Sequence, residues 1–152
     1  MSVIGKERLI SLLPHKGKMF LLDRVMDFDP EDYILHSQVD VTENSMFFDM
    51  PLHGIPSYVC FEYMAQSISA LSGLVAETMR QAPKIGVILS VSDLRTEKPI
   101  LDDGSTVDIH IKKTDIVDSV FSFTCSAFSD GKRIAEGKLT VMEVDNLSVL
   151  GI

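Results

Sequence analysis

Ser57-Tyr58-Val59-Cys60-Phe61-Glu62-Tyr63-Met64-Ala65-Gln66-Ser67-Ile68-Ser69-Ala70-Leu71-Ser72-Gly73-Leu74-Val75-Ala76-Glu77-Thr78-Met79-Arg80 reads as one long helix. Phe61, Met64, Ala65, Ile68, Leu71 and Val75 recur at helical spacing. Pro56 and Ser57 suit a helix start, and Pro83 marks the end. Apart from Glu62 the segment is apolar or small almost all round until Glu77, so it is expected to be buried. Gln66 lies four residues after Glu62 and Ser69 seven, which places all three on one face with Gly73. A polar stripe on a buried helix must find partners or bear the cost of desolvation.

The sequence on either side is strand-like. Lys6 to Leu13 reads as a short helix stopped by Pro14, and Met19 to Phe28 is apolar and β-prone. Tyr33 to Val41 alternates, with Tyr33, Leu35, Ser37, Val39 and Val41 on one face and Ile34, His36, Gln38 and Asp40 on the other. Asp29 to Asp32 forms a plausible turn between these strands. Thr42 to Pro56 has no clear period and reads as a loop. After the helix, Ile85–Val91, Val107–Ile111, Val120–Phe128 and Ile134–Val144 read as strands. Ser129-Asp130-Gly131-Lys132 is a tight hairpin turn, and Leu101-Asp102-Asp103-Gly104 is another turn. Two strands, one apolar helix and four strands predict an α+β chain in which a curved antiparallel sheet wraps one long central helix. That arrangement is the hot-dog fold, expected as a single domain over residues 1–152.

The 152 residues suffice to bury a hydrophobic core without disulfides or metals. With 14 Lys+Arg against 22 Asp+Glu, the formal net charge of −8 argues against a nucleic-acid binder and disfavours anionic membranes. Cys60 and Cys125 each sit in apolar sequence and read as buried free thiols. The N-terminal residues lack the apolar core of a signal peptide, and no run is expected to span a membrane, so the cytoplasm is the expected compartment. Four scattered histidines without paired spacing give no metal site, and no cofactor is expected.

One functional reading makes Glu62 an acid kept protonated by apolar surroundings; the alternative is a structural carboxylate bonded to buried backbone or to Gln66. His53, just before the helix, could serve as a base, and His15, after Pro14, is its rival. His36 and His110 fall within strands and look incidental. Backbone N–H groups at the helix start, near Ser57 to Val59, could hold a carbonyl oxygen as charge develops on it.

Leu13-Pro14-His15-Lys16 followed by Phe20-Leu21-Leu22-Asp23-Arg24-Val25 resembles the opening of the 3-hydroxyacyl-carrier-protein dehydratases of fatty acid synthesis. Glu62-Tyr63-Met64-Ala65-Gln66 resembles their central-helix E-A-M-A-Q signature, and Phe47-Phe48 their paired aromatics. Leu94 through Gly104 resembles their F-x-x-P-V-x-P-G-D turn. The likeness covers nearly the whole chain in the right order. It departs at the motif H-F-P-G-x-P-x-x-P-G-V-x-x-x-E, where the histidine position falls on Phe48 or Pro51 and the second glycine is Ser57. This shortened form is similar to the dehydratase-like proteins of aryl-polyene and related lipid pathways.

The resemblance implies a dehydratase that converts 3-hydroxyacyl groups on acyl carrier protein to trans-2-enoyl thioesters. Glu62 is then the acid and His53 the nearest available base. Ser57, Tyr58, Gln66 and Phe48 would contact the substrate. It also implies at least a dimer, homo- or hetero-oligomeric. A basic patch drawn from Lys16, Lys18, Arg95, Lys98, Lys112 and Lys113 would meet the acidic carrier. A hot-dog thioesterase and a non-catalytic subunit that pairs with an active dehydratase are the alternatives.

Overall fold

The computed structural model describes residues 2–146, 148 and 151. In chain order its elements are β1 (Ile4–Gly5), α1 (Lys6–Leu9), β2 (Arg24–Asp29), β3 (Ile34–Asp40), β4 (Gly54–Pro56) and α2 (Cys60–Thr78). There follow β5 (Ile85–Thr96), β6 (Ile100–Asp102), β7 (Thr106–Val117), β8 (Val120–Ser129) and β9 (Lys132–Val144). Seven strands form one antiparallel sheet in the order β1-β2-β3-β7-β8-β9-β5. The sheet's concave face packs on α2, as the alternation of β3 requires: Leu35, Ser37 and Val39 are buried against the helix. Val107, Ile109 and Ile111 of β7 and Phe123, Cys125 and Ala127 of β8 continue that inner face. Ser37 Oγ and Ser67 Oγ, 2.7 Å apart, satisfy each other inside this layer, and Ser67 also donates to the Tyr63 carbonyl at 2.8 Å.

On the outer face the register pairs His36 with His110. Their rings stack at 4.2 Å, and His36 Nε2 lies 2.6 Å from Asp108 Oδ1. These two histidines brace the back of the sheet, away from α2. At the hairpin between β8 and β9, Asp130 and Gly131 both have positive φ (52° and 75°), as the Asp-Gly pair predicts.

Three expectations shift. Met19 to Asp23 lies outside β2: Met19 and Leu21 bond to Gln66 of α2, and Asp23 N–H donates to the Gln38 carbonyl of β3 at 3.0 Å. Part of the expected loop forms β4, which pairs with β6 in a small second sheet (Gly54↔Asp102, Ile55↔Leu101, Pro56↔Ile100). Finally, Ser57–Thr78 does reach membrane-spanning length and apolarity, but 78% of its apolar 18-residue window is buried because it is the core helix of the sheet.

Candidate active site

The site is built where the N-terminal arm crosses the first turns of α2. After α1 the chain runs through Leu12, Leu13, Pro14 and His15 and makes a 3-10 turn at Gly17–Met19. Leu9, Leu13, Phe20, Leu21 and Leu22 are buried in the core. Their burial holds the arm against the helix, and Gly73 permits the approach. A Cβ at Gly73 would stand 3.1 Å from the Leu12 carbonyl oxygen and 3.2 Å from Leu12 Cβ.

A cavity of about 580 Å³ opens beside this crossing. Its walls are Leu12 to His15 of the arm, the α2 face of Glu62, Ala65, Ile68, Ser69, Ser72 and Gly73, the start of β5 with Pro83 to Gly86 and Ile88, and Val141 and Glu143 of β9. Volume and mixed lining suit a small organic ligand. Glu62 Oε1 and His15 Nε2 face each other there at 3.5 Å, their side chains 27% and 25% exposed. The carboxylate expected in apolar surroundings thus stands at a half-open mouth opposite an imidazole. His15 Nδ1 is buried and meets no hydrogen-bond partner among the described residues, so Nε2 is the nitrogen presented to the site. Ser72 Oγ reaches Glu143 Oε1 at 3.4 Å, and Lys84 lines the cavity near them.

The other residues singled out from the sequence fall elsewhere. His53 is exposed, has φ 53°, and belongs to the turn entering β4; it is not part of the cavity wall. Phe48 is half-buried and packs on the core, and Tyr58 is 66% exposed. Ser57 is buried, and its N–H donates to the Pro99 carbonyl at 2.9 Å. That bond uses the donor assigned to a thioester oxygen. No such bond between elements falls on the Tyr58 N–H among the described residues. Gln66 is fully buried and turned to the arm: its Oε1 accepts from Leu21 N–H (2.8 Å), and its Nε2 donates to the Met19 carbonyl (2.6 Å) and to Glu62 Oε1 (3.3 Å). Within this chain, then, Glu62 meets His15 and Gln66, while His53, Ser57, Tyr58 and Phe48 stand on the segment before the helix. Ser69 and Gly73 line the cavity on the Glu62 face, as the helical period predicts. Lys84 and Glu143 carry no sequence signal, because they reach the site only through the pairing of β5 with β9.

Comparisons with known proteins bear on the family and the fold. Residues 8–150 match the ApeP-like family, described as ApeP dehydratase. A 3-hydroxyacyl-[acyl-carrier-protein] dehydratase FabZ of Pseudoalteromonas translucida is 30% identical over 138 residues, covering 88% of this chain and 89% of that protein. The FabZ of Myxococcus xanthus is 30% identical over 140 residues, with 90% of each chain covered. Among solved structures, the dehydratase heterocomplex ApeI:P from Xenorhabdus doucetiae superposes with a TM-score of 0.84 at 24% identity, covering 94% of this chain and 95% of that one. A hypothetical thioesterase protein with coenzyme A from Streptococcus pneumoniae shares the fold at a TM-score of 0.64 and 10% identity, covering 90% of this chain and 91% of that one. The hot-dog architecture is therefore established, and the chain belongs to the ApeP-like dehydratase family.

Proposed function

We propose that this protein removes water from 3-hydroxyacyl thioesters carried on the phosphopantetheine arm of an acyl carrier protein, giving trans-2-enoyl thioesters, with Glu62 as acid and His15 as base. The observation that carries this reading is the 3.5 Å approach of His15 Nε2 to Glu62 Oε1 at the mouth of the cavity. Neutral His15 takes the proton from C2 of the substrate. The C2–H electrons form the C2–C3 double bond, the C3–O bond breaks, and Glu62 protonates the departing hydroxyl so that it leaves as water. Adjacent acid and base suit an elimination in which both groups leave from one side of the chain. Proton transfer from imidazolium to carboxylate then restores the pair. The Tyr58 N–H is the donor we assign to the thioester oxygen, and His53 is set aside as base within this protomer because it is off the cavity.

The active form is an oligomer in this reading. Among the described residues β5 pairs only with β9, and its apolar residues Ile85, Ile88, Leu89, Val91 and Leu94 are 36–50% exposed. A bare apolar edge strand calls for a partner. Ile85, Gly86 and Ile88 of this edge also wall the cavity, so a second protomer placed there would complete it. The ApeI:P structure is itself a dehydratase heterocomplex, which favours a second, different subunit as the partner. The segment carrying Phe48, His53 and Tyr58 is then the part of this chain available to a neighbouring site. For the carrier, Lys18, Arg95 and Lys112 are the best-placed cations. Lys98 pairs with Asp102, Lys113 lies 3.5 Å over the Tyr33 ring, and Lys16 donates to the carbonyls of Ile10 and Leu13. We assign the reaction to the cytoplasm, with the core helix buried in the fold and not offered to a bilayer.

The test offers the purified protein, alone and with its paired dehydratase subunit, a 3-hydroxyacyl carrier thioester and its saturated analogue. Enoyl absorbance from the first alone supports dehydration; free thiol released from both supports the thioesterase. His15→Ala should abolish the enoyl signal and His53→Ala should spare it. The reverse pattern moves the base to His53.

A further inference from the structure

The cavity changes character along α2. Glu62 and His15 stand at one end. Ala65 and Ile68 of the helix, with the paired Ile88 and Val141, give it an apolar middle. The other end is polar again, at Ser72, Glu143 and Lys84. Leu139 and Val141 of β9 turn inward and are buried, and Glu143 takes the next inward position, where the strand period calls for an apolar residue. Its partner in the register is Gly86, and Gly73 lines the cavity from the helix, so neither neighbour has a side chain to cover the carboxylate. Among the described residues the Glu143 side chain has no ion pair and one hydrogen-bond partner, the Ser72 hydroxyl, which donates to Oε1 over a long 3.4 Å. We infer that Glu143 is a specificity-determining residue: with Ser72 it closes the acyl site in a polar stop that rejects an unsubstituted alkyl tail and so limits the length of chain taken.

Ser72 lies ten positions beyond Glu62, about 15 Å along the helix axis at about 1.5 Å per residue. The 3-hydroxyl leaves at Glu62. Each C–C bond of about 1.5 Å carries an extended chain about 1.25 Å further, so the tail meets Glu143 roughly a dozen bonds past C3. A methyl end arriving there strips water from the carboxylate and offers no hydrogen bond in exchange. A shorter tail leaves the carboxylate hydrated, and a tail that ends in a hydroxyl can donate to it. The barrier is therefore polarity, which separates it from a wall that is simply too close. Lys84, swung onto Glu143 as an ion pair, would leave the stop as polar as before. This inference rests on the cavity being the acyl site of the proposed reaction.

The assembled enzyme is offered three carrier thioesters: 3-hydroxyoctanoyl, 3-hydroxyhexadecanoyl and 3,16-dihydroxyhexadecanoyl. Their kcat/KM values are compared as ratios by enoyl absorbance. In wild type the plain sixteen-carbon chain should fall at least about tenfold below the eight-carbon one, and the terminal hydroxyl should restore about tenfold, the low end of what one polar contact discriminates. In Glu143→Leu the order of the two sixteen-carbon chains should reverse, because the apolar end accepts the methyl and leaves the hydroxyl unpaired. Glu143→Gln, of the same size and still polar, should keep the wild-type order. A plain sixteen-carbon chain taken as readily as the eight-carbon one by wild type overturns the inference. So does an equal loss for both sixteen-carbon chains, or a wild-type order that survives in folded Glu143→Leu, since each puts the limit in the bulk of another wall. If Glu143→Leu does not fold, the wild-type gap between the two sixteen-carbon chains decides alone. The same chains without the 3-hydroxyl, as saturated carrier thioesters, are ranked by calorimetric binding. If no chain yields an enoyl product the proposed reaction fails, and the binding order still decides the role of Glu143.

Discussion

Glu62 and Tyr63 are neighbours on α2 with opposite fates. Glu62 faces the cavity, His15 and the Gln66 amide, whereas Tyr63 is 1% exposed and its hydroxyl meets no hydrogen-bond partner among the described residues. Burial raises the Tyr63 hydroxyl well above its ordinary value, with the Cys60 and Asp23 charges adding to the effect. An unpaired buried hydroxyl carries its desolvation cost with nothing in return. Tyr63→Phe should therefore fold at least as stably as wild type, by up to about 1–3 kcal/mol in chemical denaturation; a clear loss would mean that the hydroxyl has a partner in solution. Cys60 and Cys125 are buried too, and burial pushes both thiols up to about 12. Neither should react with iodoacetamide at pH 8 in the native protein, and both should react once denaturant unfolds it. Mass spectrometry reads the difference directly.

Among the elements, β4 and β6 deliver the chain to the start of α2, and their closeness depends on Gly54. A Cβ there would stand 2.1 Å from the Leu101 carbonyl oxygen and 2.7 Å from Ile100 Cγ2. Gly54→Ala must push this backbone apart. It should cost about 1–3 kcal/mol in stability and lower activity by shifting the helix start; an unchanged Tm would show that the small sheet gives way freely. Across β2 and β3, Arg24 binds Asp40 through both terminal guanidinium nitrogens, with Nη1 also reaching Gln38 Oε1 at 2.9 Å. The Arg24 hydrogen bond holds the Asp40 carboxyl below its usual range against the opposing effect of burial, helped by the Arg24 charge and Thr106 Oγ1. A carboxyl depressed in the folded state stabilises it fully above the unfolded value near 3.9. That contribution is lost as pH falls through the lower folded value. Asp40→Asn should accordingly flatten the acid side of the stability curve below about pH 4, and an unaltered acid slope would place the titrating groups elsewhere.

Legibility followed the range of each interaction. The helix, the alternation of β3 and the Asp-Gly hairpin are local patterns, and they stand in the structure as the sequence suggests. The face shared by Glu62, Ser69 and Gly73 was legible for the same reason. The partner of Glu62 was not. His15 reaches it because the buried arm residues and the Gln66 bonds to Met19 and Leu21 hold the arm on α2, and those bonds join residues more than 40 positions apart. Chain proximity favoured His53, nine positions before Glu62, but the turn into β4 carries it off the cavity wall. The short strand β4 was hidden because its pairing with β6 joins two segments on opposite sides of α2 and β5.

For the molecule as a whole, the apolar edge strand β5 has no second strand beside it among the described residues, and the cavity opens beside that edge. If the proposed assembly at this edge is right, charges introduced along it, as in Leu89→Lys with Val91→Lys, should leave a folded but smaller species in sedimentation velocity and abolish turnover, because the cavity would lose the neighbour proposed to complete it. Unchanged mass and rate would place the interface elsewhere. The acid itself can be isolated in the assembled enzyme by single-turnover dehydration of a 3-hydroxyacyl carrier thioester, comparing wild type with Glu62→Gln by enoyl absorbance. Glu62→Gln should reduce the rate by at least about 100-fold, the contribution of a positioned general acid, while binding the thioester as well as wild type. An enoyl rate equal to that of wild type would contradict the assignment of Glu62 as the acid.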